Sequence, residues 1–178
     1  YVYSKNTLIQ TFESFKKGLL KTDHLICFAV KANSNIAILN LFANLGAGFD
    51  IVSGGELERV LYAGGDPQKI VFSGVGKTAS EIEAALKANI LCFNVESRSE
   101  LIRIEEVAKK INLKAPISIR VNPDVDAKTH PYISTGLKDN KFGVDFNQAL
   151  ALYLEAKSMG HIEVKGIDCH IGSQITEL

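Results

Sequence analysis

Lys31 closes the apolar run Ile26-Cys27-Phe28-Ala29-Val30 and is followed at once by Ala32-Asn33-Ser34-Asn35. An amine at the inward end of a core strand is a place where desolvation penalises the charged form and lowers the pKa. A neutral amine can attack an aldehyde, so Lys31 is a candidate Schiff-base residue. Placement alone favours a plainer reading, in which Lys31 marks the solvent edge of a buried strand. Further polar residues follow other apolar runs: Asp50, Ser53, Ser73, Arg120 and His170.

Asp50 follows Gly48-Phe49. A carboxylate on the same rim as Lys31 could hold its ammonium or orient a ring; equally, an Asp here could satisfy backbone donors in a turn. Ser53 and Glu56 look site-like, yet their S-x-x-E spacing also fits a helix start. Arg120 lies between Ile119 and Val121, so its side chain points away from theirs. Inside a barrel that guanidinium must meet an anion or a fixed dipole; outside it would pair with a helix carboxylate. In Cys169-His170-Ile171-Gly172-Ser173, His170 offers a flat ring for stacking. Gly172 and Ser173 offer an approachable N–H and a hydroxyl, part of a phosphate cradle. His24, His130 and His161 show no metal-ligand spacing, and no metal site is read. An amine, a stacking ring, an anion-binding turn and extra charges on one rim suit pyridoxal phosphate, an aldehyde with a ring and a phosphate.

Positioning these residues on one rim is the task of the elements between them. The apolar runs Ile26–Val30, Gly48–Val52, Ile70–Phe72, Leu91–Val95, Ile117–Val121 and Val164–Ile171 read as strands covered on both faces. Helical stripes lie between them: Leu8, Phe12, Phe15 and Leu19; then Leu57, Val60 and Leu61; then Leu101, Ile104, Ala108 and Ile111. Thr78-x-x-Glu81 and Ser97-x-x-Glu100 read as capping boxes. Repeating βα units close as an open doubly wound sheet or as a (β/α)8 barrel. No G-x-G-x-x-G follows a strand, and chemistry-bearing residues follow many different strands, so the barrel is expected. About six strands are counted, which leaves roughly two βα units beyond Leu178. Tyr1 begins within strand-like residues, and both ends read as cut from a longer protein. Asn122 to Phe146 reads as a long functional loop.

Composition bounds the function. The chain has 178 residues, 46% hydrophobic and 22% charged, as in an ordinary globular domain. Lys plus Arg and Asp plus Glu are 20 each, so nucleic-acid binding has no electrostatic support. No apolar stretch reaches the length of a membrane span, and no secretory leader is read. Cys27, Cys92 and Cys169 are odd in number and lie in strand-like runs, as buried reduced thiols of a cytoplasmic protein would.

Several strings carry a resemblance. Phe28-Ala29-Val30-Lys31-Ala32-Asn33-Ser34 resembles the cofactor-lysine motif of the alanine-racemase-like (fold type III) pyridoxal-phosphate enzymes. Gly48 to Glu56 matches the next motif of the decarboxylases in that group. Arg120-Val121-Asn122-Pro123, the string from His130 to Gly136 with Lys141-Phe142-Gly143, and His170 to Gln174 narrow it to the diaminopimelate decarboxylase family. The resemblance implies that Lys31 forms the Schiff base with pyridoxal 5'-phosphate, His170 stacks on its ring and Ser173 contacts its phosphate. It carries over Asp50, Glu56 and Arg120 as site-lining residues and adds Ala29, beside the lysine, to the candidates. The implied reaction removes carbon dioxide from meso-diaminopimelate to give L-lysine, in a cytoplasmic homodimer with shared sites. The family's phosphate loop, its partner for the pyridine nitrogen and its β-rich domain are expected downstream, so these residues alone are expected to bind cofactor poorly and to be inactive. The alternatives are an ornithine- or arginine-type decarboxylase of the same fold, a non-catalytic pyridoxal-phosphate-binding barrel, and a barrel of other chemistry in which Lys31 is an edge lysine.

Overall fold

The computed structural model describes residues 1–122 and 142–172. Helices and strands alternate: α1 (Lys5–Gly18), β1 (Cys27–Ala29), α2 (Ile36–Asn44), β2 (Gly48–Ile51), α3 (Gly54–Tyr62), β3 (Ile70–Phe72), α4 (Ala79–Ala88), β4 (Cys92–Val95), α5 (Arg98–Lys110), β5 (Ala115–Asn122), β6 (Val144–Asp145), α6 (Phe146–Ser158) and β7 (Ile162–Asp168). Every helix start is written in the sequence. Ser4, Asn35, Ser53, Thr78, Ser97 and Asp145 each accept a backbone N–H of the first turn, so one orphan donor per helix is satisfied by a side chain.

All strand pairs are parallel, and β1, β2, β3, β4, β5 and β7 lie side by side in chain order. The order never reverses, as it must at the crevice of a doubly wound sheet. This is the wall of a (β/α)8 barrel, incomplete over the described residues. The short β6 pairs with the far end of β5. The pairing of β7 with β5 contains a bulge: Val164 lies opposite Ile117, and Gly166, not Lys165, lies opposite Ser118.

Period-2 alternation divides each strand. Phe49, Ile51, Ile70, Phe72, Phe93, Val95, Ile117 and Ile119 are fully buried in one cluster with helix residues such as Leu39, Val60, Ile82, Leu101 and Ile104. Gly48 is tightly held between the Cys27 side chain and the backbone leading into β3: a Cβ there would stand 2.5 Å from the Lys69 carbonyl and 2.7 Å from Cys27 Sγ. Only glycine lets the two backbones approach there.

Several expectations need correction. The end strands are not covered on both faces. The β1 residues are half-buried and β7 is exposed from Glu163 to Ile167, since each pairs with a neighbouring strand on one edge alone among the described residues. Cys169 is exposed, whereas Cys92 is buried and Cys27 half-buried. Phe15 is exposed and Leu19 lies just past the end of α1, so the α1 stripe rests mainly on Phe12 and Leu8. Phe146 begins a helix. The long loop read from Asn122 to Phe146 falls almost wholly on residues outside those described. Thr78 and Glu81 do form a reciprocal capping box. Glu100 does not close one with Ser97; its carboxylate instead accepts from the Glu96 N–H and from Lys77.

Candidate functional site

Among the strand residues that alternate with the apolar core positions, Asp50, Asn94, Ser118, Arg120 and Asp168 bring polar side chains to the barrel interior. Asp50 on β2 accepts a 2.5 Å hydrogen bond from Ser73 Oγ, just after β3. Ser73 accepts from Asn94 Nδ2 on β4 at 3.1 Å, and Asn94 Oδ1 accepts from Ser118 on β5. Register makes this possible, because Asn94 and Ser118 are cross-strand partners and Asp50 lies opposite Val71, two residues before Ser73.

One step higher stand Glu96, Arg120 and Asp168. Arg120 Nη1 donates to Glu96 Oε1 at 3.1 Å, with side chains only 12% and 2% exposed. Register places Asp168 opposite Arg120. The guanidinium lies 5.4 Å from the Phe142 ring centroid, a cation–π distance. Gly143, at φ +83°, sits so close that a Cβ there would meet the Arg120 carbonyl at 3.0 Å. Glu96 Oε1 also accepts the Gly74 N–H at 3.1 Å. Beneath this layer Lys77 is buried and donates to Glu100, to the Gly74 carbonyl and to the Asn94 carbonyl at 2.7, 2.6 and 2.9 Å. A buried ammonium satisfied three times over pins the backbone that carries the inward residues.

Lys31 stands on a tight 3₁₀ turn, Val30–Ala32, that follows β1 directly, and it is exposed. The desolvation expected of a lysine at a buried strand end is therefore not imposed by the described residues, because the turn lifts Lys31 out of the strand. It nevertheless lines one cavity of about 340 Å³ with Asp50, Ser73, Arg120, Asp168 and His170. Burial pushes the Asp50 carboxyl up, opposed by the Ser73 hydrogen bond and then by Lys31, His170 and Arg120. Burial likewise pushes Asp168 up, with Arg120 opposing. Burial, then Arg120 and Lys31, hold His170 below the usual imidazole range, which keeps its ring neutral near pH 7. Burial pushes the Cys27 and Cys92 thiols up to about 11, leaving them protonated and unreactive.

The candidates read from sequence thus divide. Lys31, Asp50, Arg120 and His170 share the cavity, and Arg120 points inward. Ala29 pairs in register with Asp50, and Gly172 stands two residues past His170 at φ +150°; neither lines the cavity. Ser53 caps α3, and Glu56 accepts the Val52 N–H at 2.7 Å; neither lines the cavity. Ser173 lies outside the described residues. Sequence reasoning assigned no role to Asn94, Glu96, Ser118 or Asp168. Their signal was there: Cys92-x-Asn94-x-Glu96, Ser118-x-Arg120 and Gly166-x-Asp168-x-His170 place polar residues at period 2 inside apolar runs. Among the described residues no group of three or more His, Cys, Asp or Glu could hold a metal ion, and no helix is long and apolar enough to cross a membrane.

A parallel barrel wall whose strand ends bring a lysine, an imidazole, a guanidinium and carboxylates to one rim has the layout of a barrel enzyme's site. Residues 5–178 match the family model described as pyridoxal-dependent decarboxylase, pyridoxal binding domain. The chain belongs to that family. It is 62% identical over its whole length to the diaminopimelate decarboxylase of Vibrio cholerae and 59% identical to that of Pseudomonas aeruginosa, covering 43% of each. It is also similar to the crystal structure of Helicobacter pylori diaminopimelate decarboxylase complexed with L-lysine. That likeness has a TM-score of 0.96 and 53% identity, and it covers 98% of this chain and 44% of the other. The chain thus spans less than half the length of the curated relatives it matches. The donor set fits the cofactor of this family. Lys31 can take an aldehyde, the half-buried His170 offers a flat ring, and Asp50 brings an anion to the cavity they share with Arg120.

Proposed function

We propose that this chain supplies the lysine-bearing part of the active site of a pyridoxal-phosphate-dependent decarboxylase that converts meso-diaminopimelate to L-lysine and carbon dioxide. The observation that carries the reading is the convergence of Lys31, Asp50, Arg120 and His170 on one cavity from four separate strands. The identity of 62% over the whole chain to a diaminopimelate decarboxylase supports the substrate. Lys31 and His170 would hold the cofactor's aldehyde and ring, and Gly172 with Ser173 its phosphate. When bound, the cofactor supplies the electron sink that lets the C–CO₂⁻ bond break.

The chain's own residues do the rest. Exposure on a short turn lets the Lys31 amine meet and release its partner without moving the barrel wall. Asp50 counters the charge of Lys31 and Arg120, and the neutral imidazole of His170 adds no cation to the rim. Glu96 and Phe142 fix the Arg120 guanidinium, so its remaining donors are preorganised for a developing anion. The rest of the site, a β-rich second domain and a second subunit complete this reading, with the whole enzyme working as a homodimer in the cytoplasm. The residues of this chain form one partial barrel domain of that enzyme.

The test is made on the full-length protein. Lys31→Ala abolishes the absorbance band that wild type gains with pyridoxal phosphate, and wild type releases carbon dioxide from diaminopimelate in preference to ornithine. Equal spectra for the two proteins would overturn the lysine assignment; preference for ornithine would overturn the substrate.

A further inference from the structure

The hydrogen bonds across β2 to β5 have a fixed direction. An ionised carboxylate only accepts, so the single Ser73 proton goes to Asp50 Oδ1, at 2.5 Å. The Ser73 oxygen is then left to accept, and the Asn94 side chain can donate only through its NH₂ end, which lies 3.1 Å away. That turns Asn94 Oδ1 towards β5, where Ser118 donates to it. Every donor in the series therefore points at Asp50, and bonds arranged in series polarise one another. The three supporting side chains are anchored on separate strands whose backbones pair, and Lys77 pins the Asn94 carbonyl at 2.9 Å.

We propose that Ser73, Asn94 and Ser118 are a positioning rail that fixes one oxygen of Asp50 and so aims this carboxylate into the cavity shared with Lys31 and His170. The proposal rests on Asp50 belonging to the cofactor site argued above. Ser73 and Asn94 also line the cavity, so the rail is the part of their effect that passes through Asp50. A cavity-lining carboxylate with no such support could rotate freely, and its burial would favour protonation.

The test uses the full-length protein, with cofactor affinity and the shape of the cofactor absorbance band as readouts and thermal melting as the check on folding. Ser73→Ala weakens cofactor binding about tenfold, which is the loss of one hydrogen bond to a charged group, and shifts the band in the same direction as Asp50→Ala. Ser73→Thr, which keeps the hydroxyl, stays near wild type. Asn94→Ala and Ser118→Ala give successively smaller losses. In the Asp50→Ala background, adding Ser73→Ala or Asn94→Ala changes affinity less than about twofold, because positions that act through one group are not additive. Should Ser73→Ala fail to fold, the Ser118→Ala cycle carries the same comparison.

Undiminished effects of Ser73→Ala and Asn94→Ala in the Asp50→Ala background would overturn the rail. If Lys31→Ala has meanwhile lost the cofactor band, the decarboxylase reading stands and only the rail falls. Wild-type affinity in Asp50→Ala overturns the rail together with the place of Asp50 in the site.

Discussion

The two faces of the barrel wall differ completely in what they ask of a side chain. The outer face, carrying Phe49, Phe72, Phe93, Val95, Ile117 and Ile119, meets the helices with apolar side chains, the buried Lys77–Glu100 pair against Phe72 being its polar exception. The inner face, carrying Asp50, Ser73, Asn94, Glu96, Ser118 and Arg120, pairs almost every polar atom with another. Glu96 Oε2 is the one buried side-chain atom without a hydrogen-bond partner among the described residues. Stability is therefore built on one set of alternate positions and chemistry on the other, along the same few strands. A parallel barrel permits this because its rim gathers the inner face while its helices cover the outer one.

Substitutions on the two faces should separate cleanly. The largest effect is expected from Phe93→Ala, which leaves a cavity against β3 and α5 and costs about 4 kcal/mol in denaturant unfolding. The molecules that remain folded should bind cofactor as wild type does; a loss of affinity in that fraction would erase the division. Lys77→Ala comes next, at about 3 kcal/mol, because it leaves Glu100 buried without its cation. It also frees the backbone of Gly74 and Asn94, so it is the one core substitution that should lower cofactor affinity too.

Ser53→Ala should cost about 1 kcal/mol, the value of a helix N-cap, with no change in cofactor affinity. A drop in affinity there would move Ser53 from the helix start into the site. The smallest effect belongs to Asp168→Asn, and its size depends on pH. Burial raises the folded pKa of Asp168 above the unfolded value. The folded state then binds more protons, so the contribution of Asp168 to stability is full below the unfolded pKa and is lost as pH rises through the folded one. The Asn variant should melt slightly higher than wild type at pH 7, and the gain should fade as the pH falls through the carboxylate range. A gain independent of pH would point to packing instead of charge.

Much of this was legible in the residues. The βα repeat, the absence of a dinucleotide glycine pattern and the scatter of polar residues over many strand ends point to a barrel. Lys31, Asp50, Arg120 and His170 were each visible as polar breaks in apolar runs. Of the inner rail Ser73 was visible in the same way; Asn94 and Ser118 were not, because a Ser or Asn inside a strand reads as weak β-propensity until register shows which neighbours it meets. Glu56 and Glu100 were legible only in part. S-x-x-E spacing announces the helix start, but the carboxylates bond Val52 and Glu96, the residues just before the caps. The exposure of β7 was hidden too, since hydrophobic content states which surface should be covered and not which element covers it.

The bulge in β7 has a consequence for how this chain tolerates changes in length. Lys165 is the residue the pairing skips. Regular pairing of the same sequence would set Ile167 opposite Arg120 and turn Asp168 and His170 out of the barrel. Removing Lys165 alone would give an unbroken ladder with Gly166, Asp168 and His170 still facing inward. Removing Gly166 or Ile167 alone would also absorb the bulge and leave Asp168 opposite Arg120, whereas removing two residues between Lys165 and Ile167 would reverse the parity of everything that follows. Deletions of one residue and of two should therefore have opposite results, the first keeping cofactor affinity and the second abolishing it. The chemistry of this rim depends on whether the count of residues leading to it is odd or even.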